Sequence, residues 1–189
     1  SLKIININDD ELYSQYHVSN MIIDDFIYNN FNQLYRNRRL SLLDTLDVAI
    51  KRIIPEIKSD FVKDNIRYRK AAIQMVVNND NGKKVVNQYF KMQDVLYSNP
   101  AYMSLFHELF ANYLSSGLFN ASEMRRMLYE DYGVFMTYLK GKDVFLAENQ
   151  NLAELVVAYN LKRMFYEFQD DRIVILEKLK SIAQNTKNQ

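Results

Sequence analysis

Ser98-Asn99-Pro100-Ala101-Tyr102-Met103-Ser104-Leu105-Phe106-His107-Glu108-Leu109-Phe110 is the stretch whose reading sets the fold class. Asn99 has a side-chain oxygen of the right reach to accept a backbone N–H two or three residues on, as a helix N-cap does. Pro100 then takes the first helical position, where its fixed φ suits the turn and its missing N–H would have no intrahelical partner. Tyr102, Leu105, Phe106, Leu109, Phe110, Tyr113 and Leu114 recur at intervals of three and four, the period of one helix face. Gly117 stands where a C-terminal cap is expected.

The same period continues on both sides. Upstream, Leu12, Tyr16, Met21, Ile22, Phe26, Ile27, Phe31, Leu34 and Tyr35 mark a helix from Asp9 to about Tyr35, with a break expected near Val18–Asn20. Ser41 is placed to cap a second helix, which Pro55 ends because its ring clashes with the preceding turn. A third helix starts at Ser59 or Asp60, carries Phe61, Val62, Ile66, Ala72, Ile73, Val76 and Val77, and sets Lys63, Arg67 and Lys70 toward water. The polar run from Asn78 to Gly82 stops it as a helix–helix turn, and Val85–Met92 makes a short helix. Downstream, Asn120 with Glu123 and Asn151 with Glu154 have capping-box spacing, Asn replacing the usual Ser or Thr. Gly133 and Gly141 divide the segment between those two boxes, and the last helices run from about Leu152 to Phe168 and from Asp171 to Gln184. The expected fold is therefore all-α, an irregular bundle of seven to nine helices. It is organised as a linker or strand remnant over 1–8, a single helical domain over 9–184 and a frayed tail over 185–189. The structural caps are Asn99, Pro100, Asn151 and Glu154.

Composition agrees. Only 4 Gly and 2 Pro occur in 189 residues, about 3% where roughly 12% is usual, so few positions suit tight hairpins. With 48% apolar residues the chain can bury a core, and at this length about two-thirds of the unfolded surface is lost on folding. The 24 Lys plus Arg nearly balance 23 Asp plus Glu, so no global field draws the chain to nucleic acid or anionic membrane. With no cysteine there is no disulfide, thiolate nucleophile or thiolate-bound metal. The N-terminus lacks the basic start, apolar run and cleavage site of a signal peptide. Opening on Ser1 rather than Met suggests a processed or excised product.

Motifs for chemistry are few. A di-iron bundle needs Glu-x-x-His, but the residues three before His17 and His107 are Ser14 and Ser104. His107-Glu108 would need its second histidine at Ala111 to start a zinc-protease helix. No serine lies in a G-x-S-x-G turn, and glycine-rich phosphate loops are absent. No catalytic residue, metal or cofactor is expected. Three basic clusters, Arg36 with Arg38 and Arg39, Arg67 with Arg69 and Lys70, and Arg125 with Arg126, each have acids nearby and read as solvated faces. The aromatics of the fifth helix, with Tyr159, Phe165, Tyr166 and Phe168, read as core. The 14 Tyr suit inter-helix seams, where a ring packs while its hydroxyl finds a partner or water.

Three runs carry a family likeness: Phe61-Val62-Lys63-Asp64-Asn65-Ile66-Arg67-Tyr68-Arg69; Gln88-Tyr89-Phe90 through Val95-Leu96-Tyr97-Ser98-Asn99-Pro100-Ala101-Tyr102-Met103 to Leu105-Phe106; and Leu152-Ala153-Glu154-Leu155-Val156-Val157 through Leu161, Phe165-Tyr166 and Phe168 to Ile175-Leu176. From about Phe61 to Ala183 the chain resembles the helical region that precedes the thioredoxin-like domain in TlpA-like proteins of the Bacteroidetes. The resemblance implies a periplasmic or cell-envelope setting and a parent thiol-disulfide oxidoreductase whose chemistry belongs to the neighbouring domain. It also implies a non-catalytic role as spacer, docking or dimerisation surface. The implied partners are the chain's own C-terminal thioredoxin-like domain and a second copy of the chain, with no nucleic acid, and membrane attachment only through an anchor outside this chain. An alternative is a ligand-sensing or protein-binding domain of a cytosolic regulator or mobile-element protein; an enzyme with a dispersed site is a third. Docking calls for an exposed apolar patch, with Tyr and Phe, on the last two helices. Sensing calls for an internal cavity lined by Tyr102, Phe106 or Tyr159.

Overall fold

The computed structural model describes residues 12–78 and 82–187. Helices dominate the described residues, joined by turns, bends and short irregular stretches, and no strand occurs among them. The stretch over 1–8 and the turn residues Asn79–Asn81 lie outside that range. The described residues form ten α-helices rather than seven to nine: α1 Leu12–Phe31, α2 Leu42–Ile53, α3 Asp60–Asn78, α4 Lys83–Tyr89, α5 Pro100–Phe110, α6 Ala121–Leu128, α7 Tyr132–Lys142, α8 Val144–Glu148, α9 Gln150–Glu167 and α10 Arg172–Lys187. The chain packs as two compact units. The first runs up to Val85 and includes Leu96–Leu105; the second takes Val86–Val95 and everything from Phe106.

In the first unit α1 packs on α2 and α3. Its core joins Ile23 and Leu34 to Leu43, Leu46 and Ile50 of α2 and to Val62, Ile66, Ile73 and Val77 of α3. The expected break at Val18–Asn20 is absent. Ser19 is buried there and donates to the Tyr16 carbonyl one turn back, at 2.9 Å, so its hydroxyl is satisfied within an unbroken helix. The helix widens instead at Asn32–Arg36 into a π turn, closed by an N–H of Asn37 on the Asn32 carbonyl, and Arg38 follows at φ 54°. Ser41 has helical φ and ψ and makes no side-chain cap. The donors it was meant to satisfy, those of Leu42, Leu43 and Asp44, already bond to the carbonyls of Arg39, Leu40 and Ser41. Pro55 follows Ile54, whose φ of −120° and ψ of 85° are those of a pre-proline residue leaving a helix.

α3 is covered over more of its circumference than its apolar stripe suggests: Asn65, Tyr68, Ala71 and Met75 are buried as well. Tyr68 meets Tyr102 edge-on at 4.9 Å. Asn99 is buried beside them. Its Oδ1 accepts the Tyr102 N–H at 3.1 Å, as expected of a cap, and its Nδ2 donates to the Phe61 carbonyl at 3.1 Å. Past α3, Gly82 stands at φ 85°, a left-handed conformation that glycine adopts at no steric cost.

In the second unit α9 runs through the core and packs most extensively against α10. Three expectations are corrected here. Gly117 is no left-handed cap, because Gly82 is the described glycine with positive φ and α5 has already stopped at Phe110. The stop comes from Asn160 on α9, whose Nδ2 donates to the Phe110 carbonyl at 2.8 Å while its Oδ1 accepts the Leu114 N–H at 3.2 Å. Gly133 and Gly141 sit inside α7 rather than dividing it. The divisions fall at Asp131 and Asp143, whose carboxylates accept the N–H groups of Val134 and Phe145. Asn151 lies within α9; the cap is Asn149, whose Oδ1 accepts the Leu152 N–H at 3.1 Å while its Nδ2 donates to the carbonyls of Phe90 and Gln93. Asn120 caps α6 with bonds from Ser122 and Glu123 N–H. α10 continues past Gln184 to Lys187, into the stretch expected to fray.

Candidate functional site

Both histidines are exposed and lie against aromatic rings, His17 parallel to Tyr13 and His107 stacked on Tyr159 at 4.6 Å. Among the described residues no three His, Asp or Glu side chains converge as a metal ion would require. No helix there is long and apolar enough to cross a membrane. Of the basic clusters, Arg69 pairs with Asp24 and Asn20, Lys70 with Asp47 at 2.5 Å, and Arg125 with Asp171, whereas Arg36, Arg38 and Arg39 are exposed. Tyr102 and Phe106 are fully buried, and Phe106 packs edge-on against Tyr159 at 5.7 Å.

Four tyrosines in the second unit donate their hydroxyls to carboxylates on other elements. Tyr113 donates to Asp143, Tyr129 to Asp171 at 2.7 Å, Tyr132 to Glu154 at 3.1 Å and Tyr138 to Glu123 at 3.0 Å. Much of the excess of Tyr is used in this way: the rings of Tyr113, Tyr132 and Tyr138 are half-buried in seams, and the phenols of Tyr129 and Tyr132 satisfy the buried carboxylates of Asp171 and Glu154. Burial, then the Asp143 hydrogen bond and charge, push the Tyr113 phenol far above its ordinary value. Burial and Glu154 do the same to Tyr132, and burial and Glu123 raise Tyr138. At exposed Tyr129 the Asp171 hydrogen bond is the leading cause of a rise. The Tyr138 hydroxyl, with Lys142 and Arg126, holds Glu123 below the usual carboxylate range. Each of these shifts moves a group away from neutral pH, which suits fixed donors and acceptors better than proton transfer.

Glu154, expected as half of a capping box, is instead buried and accepts from Tyr132 and from Gln150 Nε2 at 2.5 Å. Lys178 is buried and donates to the Glu130 carbonyl. Sequence reasoning singled out neither Asp171 nor Lys178 as buried, because helical periodicity places a charge on a face and says nothing of what crosses that face.

Two features of the second unit face outward. At the α9–α10 corner Tyr166, Phe168, Ile173 and Leu176 are 69%, 45%, 74% and 42% exposed. Nearby, a cleft of about 410 Å³ opens among Leu114, Phe119, Met124, Leu128, Met164 and Phe168, with Ser115, Ser122, Arg125 and Asp171 as its polar members. Comparison with protein-family models, with curated proteins and with solved structures finds no match.

Proposed function

We propose that this chain is a non-catalytic helical accessory module that adjoins a thioredoxin-like domain in an exported, cell-envelope protein and gives it a docking or dimerisation surface. The observation that carries this is the exposed corner of α9 and α10. Ile173 and Leu176, three residues apart, share one helix face, and Tyr166 stands just before the turn that joins the two helices. Exposed apolar side chains grouped in this way mark partner surfaces more often than scattered ones do, and Tyr is enriched at the centres of such surfaces. With no cysteine in the chain, any thiol–disulfide chemistry belongs to the neighbouring domain.

The test is to mix the chain with a separately expressed thioredoxin-like domain encoded by the same gene, and to sediment the chain alone. Chemical-shift changes confined to α9 and α10, or a self-associated species, are expected, and both should be lost in Tyr166→Ser/Ile173→Ser/Leu176→Ser. Association that the triple variant leaves intact, or no association of either kind, would overturn the proposal.

A further inference from the structure

We infer that the cleft in the second unit is a binding site for an uncharged amphiphile, a small molecule with an apolar body and one hydrogen-bond acceptor. At about 410 Å³ it falls within the size of small-molecule sites, roughly 300–1,000 Å³. It is mostly apolar, with few polar groups: Ser115 after α5, Ser122 and Arg125 on α6, and Asp171 just before α10. Met124 and Met164 give it walls that adjust to a ligand's shape, since an unbranched thioether repacks at little cost.

The polar groups select the ligand's head. The Asp171 side chain is 1% exposed. Its Oδ2 accepts from Arg125 Nε at 3.0 Å, and its Oδ1 accepts from Tyr129 at 2.7 Å and from Arg125 Nη2 at 3.3 Å. A buried carboxylate thus holds one edge of the guanidinium in a two-pronged grip, which fixes the plane of a side chain that is itself 59% exposed. Nε and one N–H of Nη2 are committed to that grip, leaving the two hydrogens of Nη1 and the second N–H of Nη2 as donors for a ligand. The Arg125–Asp171 pair is neutral as a unit, and the residues on either side of Asp171, Asp170 and Arg172, carry opposite charges. A carboxylate head therefore gains no net attraction and loses its hydration, whereas a hydroxyl, ketone or ester oxygen can take one of these Arg125 donors at little electrostatic cost.

The test uses the whole chain and the uncharged fluorophore N-phenyl-1-naphthylamine, which brightens in apolar surroundings. Saturable binding of one probe per chain is expected. 1-Decanol should displace it, and decanoate only at about tenfold higher concentration because its charge must be desolvated. Ala121→Phe places a ring in the cleft from an exposed lining position, so it should abolish the signal without lowering the melting temperature. If that variant folds poorly, Phe168→Ser removes a wall at a half-exposed position and should weaken the probe several-fold. Fluorescence that rises without saturating, wild-type binding in both variants, or displacement by decanoate at the concentration of decanol would overturn the inference. Docking is read at Tyr166, Ile173 and Leu176 by a different assay, so either proposal can fail alone.

Discussion

Replacing Asn99 by Ala should destabilise the chain more than replacing Pro100 by Ala, although the two residues are adjacent at the start of α5. Asn99 works at both ends of its amide: Oδ1 accepts the Tyr102 N–H and Nδ2 donates to the Phe61 carbonyl, in a site where Asn99 is 2% exposed. Losing the cap alone costs about 1 kcal/mol. The Phe61 carbonyl lies in the first turn of α3 and keeps its helical partner, so losing its second donor adds about 0.5–1.5 kcal/mol, for a total of roughly 1.5–2.5 kcal/mol. Pro100 is exposed and makes no comparable bond. Its loss mainly gives conformational freedom back to the unfolded chain, about 0.4–1 kcal/mol. Asn99→Ser separates the two terms, since its hydroxyl can keep the cap bond but cannot reach Phe61, and should fall between the other two variants. Urea denaturation followed by circular dichroism measures all three. Equal losses for Asn99→Ala and Pro100→Ala would refute the reasoning, as would an Asn99→Ser that costs no more than Pro100→Ala.

Three further outcomes are expected. The folded chain holds the phenol protons of Tyr102, Tyr113 and Tyr132 above the ordinary value of 10.0, so stability is fully present below about pH 10 and falls as pH rises beyond it. Phenolate absorbance of these residues should appear together with loss of helix, and their titration near pH 10 in an intact helical chain would contradict this. Asn160→Ala strands the Phe110 carbonyl and the Leu114 N–H in a buried site and should cost about 3 kcal/mol in urea denaturation; a loss comparable to an exposed Asn→Ala change would show that α5 ends for another reason. Purified chain should not reduce insulin above a protein-free blank, because thiol–disulfide exchange needs a thiolate and there is no cysteine to supply one.

The all-helical class was legible because its signals are local. A scarcity of Gly and Pro, apolar residues at three- and four-residue intervals, and caps such as Asn99 and Asn120 act over one or two turns, so a linear reading captures them. The cleft and the exposed corner were not legible in the same way. Both depend on which residues far apart in the chain come together, as Leu114, Arg125 and Met164 do around the cleft.

What the sequence determined by itself was helix content and the places where helices can begin; what tertiary structure decided was which candidate is used and where each helix stops. Asn149 and Asn151 offer the same amide to α9, but Asn149 lies where its Nδ2 also meets the carbonyls of Phe90 and Gln93, so it becomes the cap. α5 stops at Phe110, well short of Gly117, because Asn160 takes up the helix's last carbonyl from fifty residues away. Gly133 and Gly141 are carried inside α7, where the buried Phe135, Met136 and Leu139 outweigh a glycine penalty of about 1 kcal/mol each. A local propensity of that size is smaller than the free energy of a buried side chain or of a satisfied buried amide, so packing decides wherever the two compete.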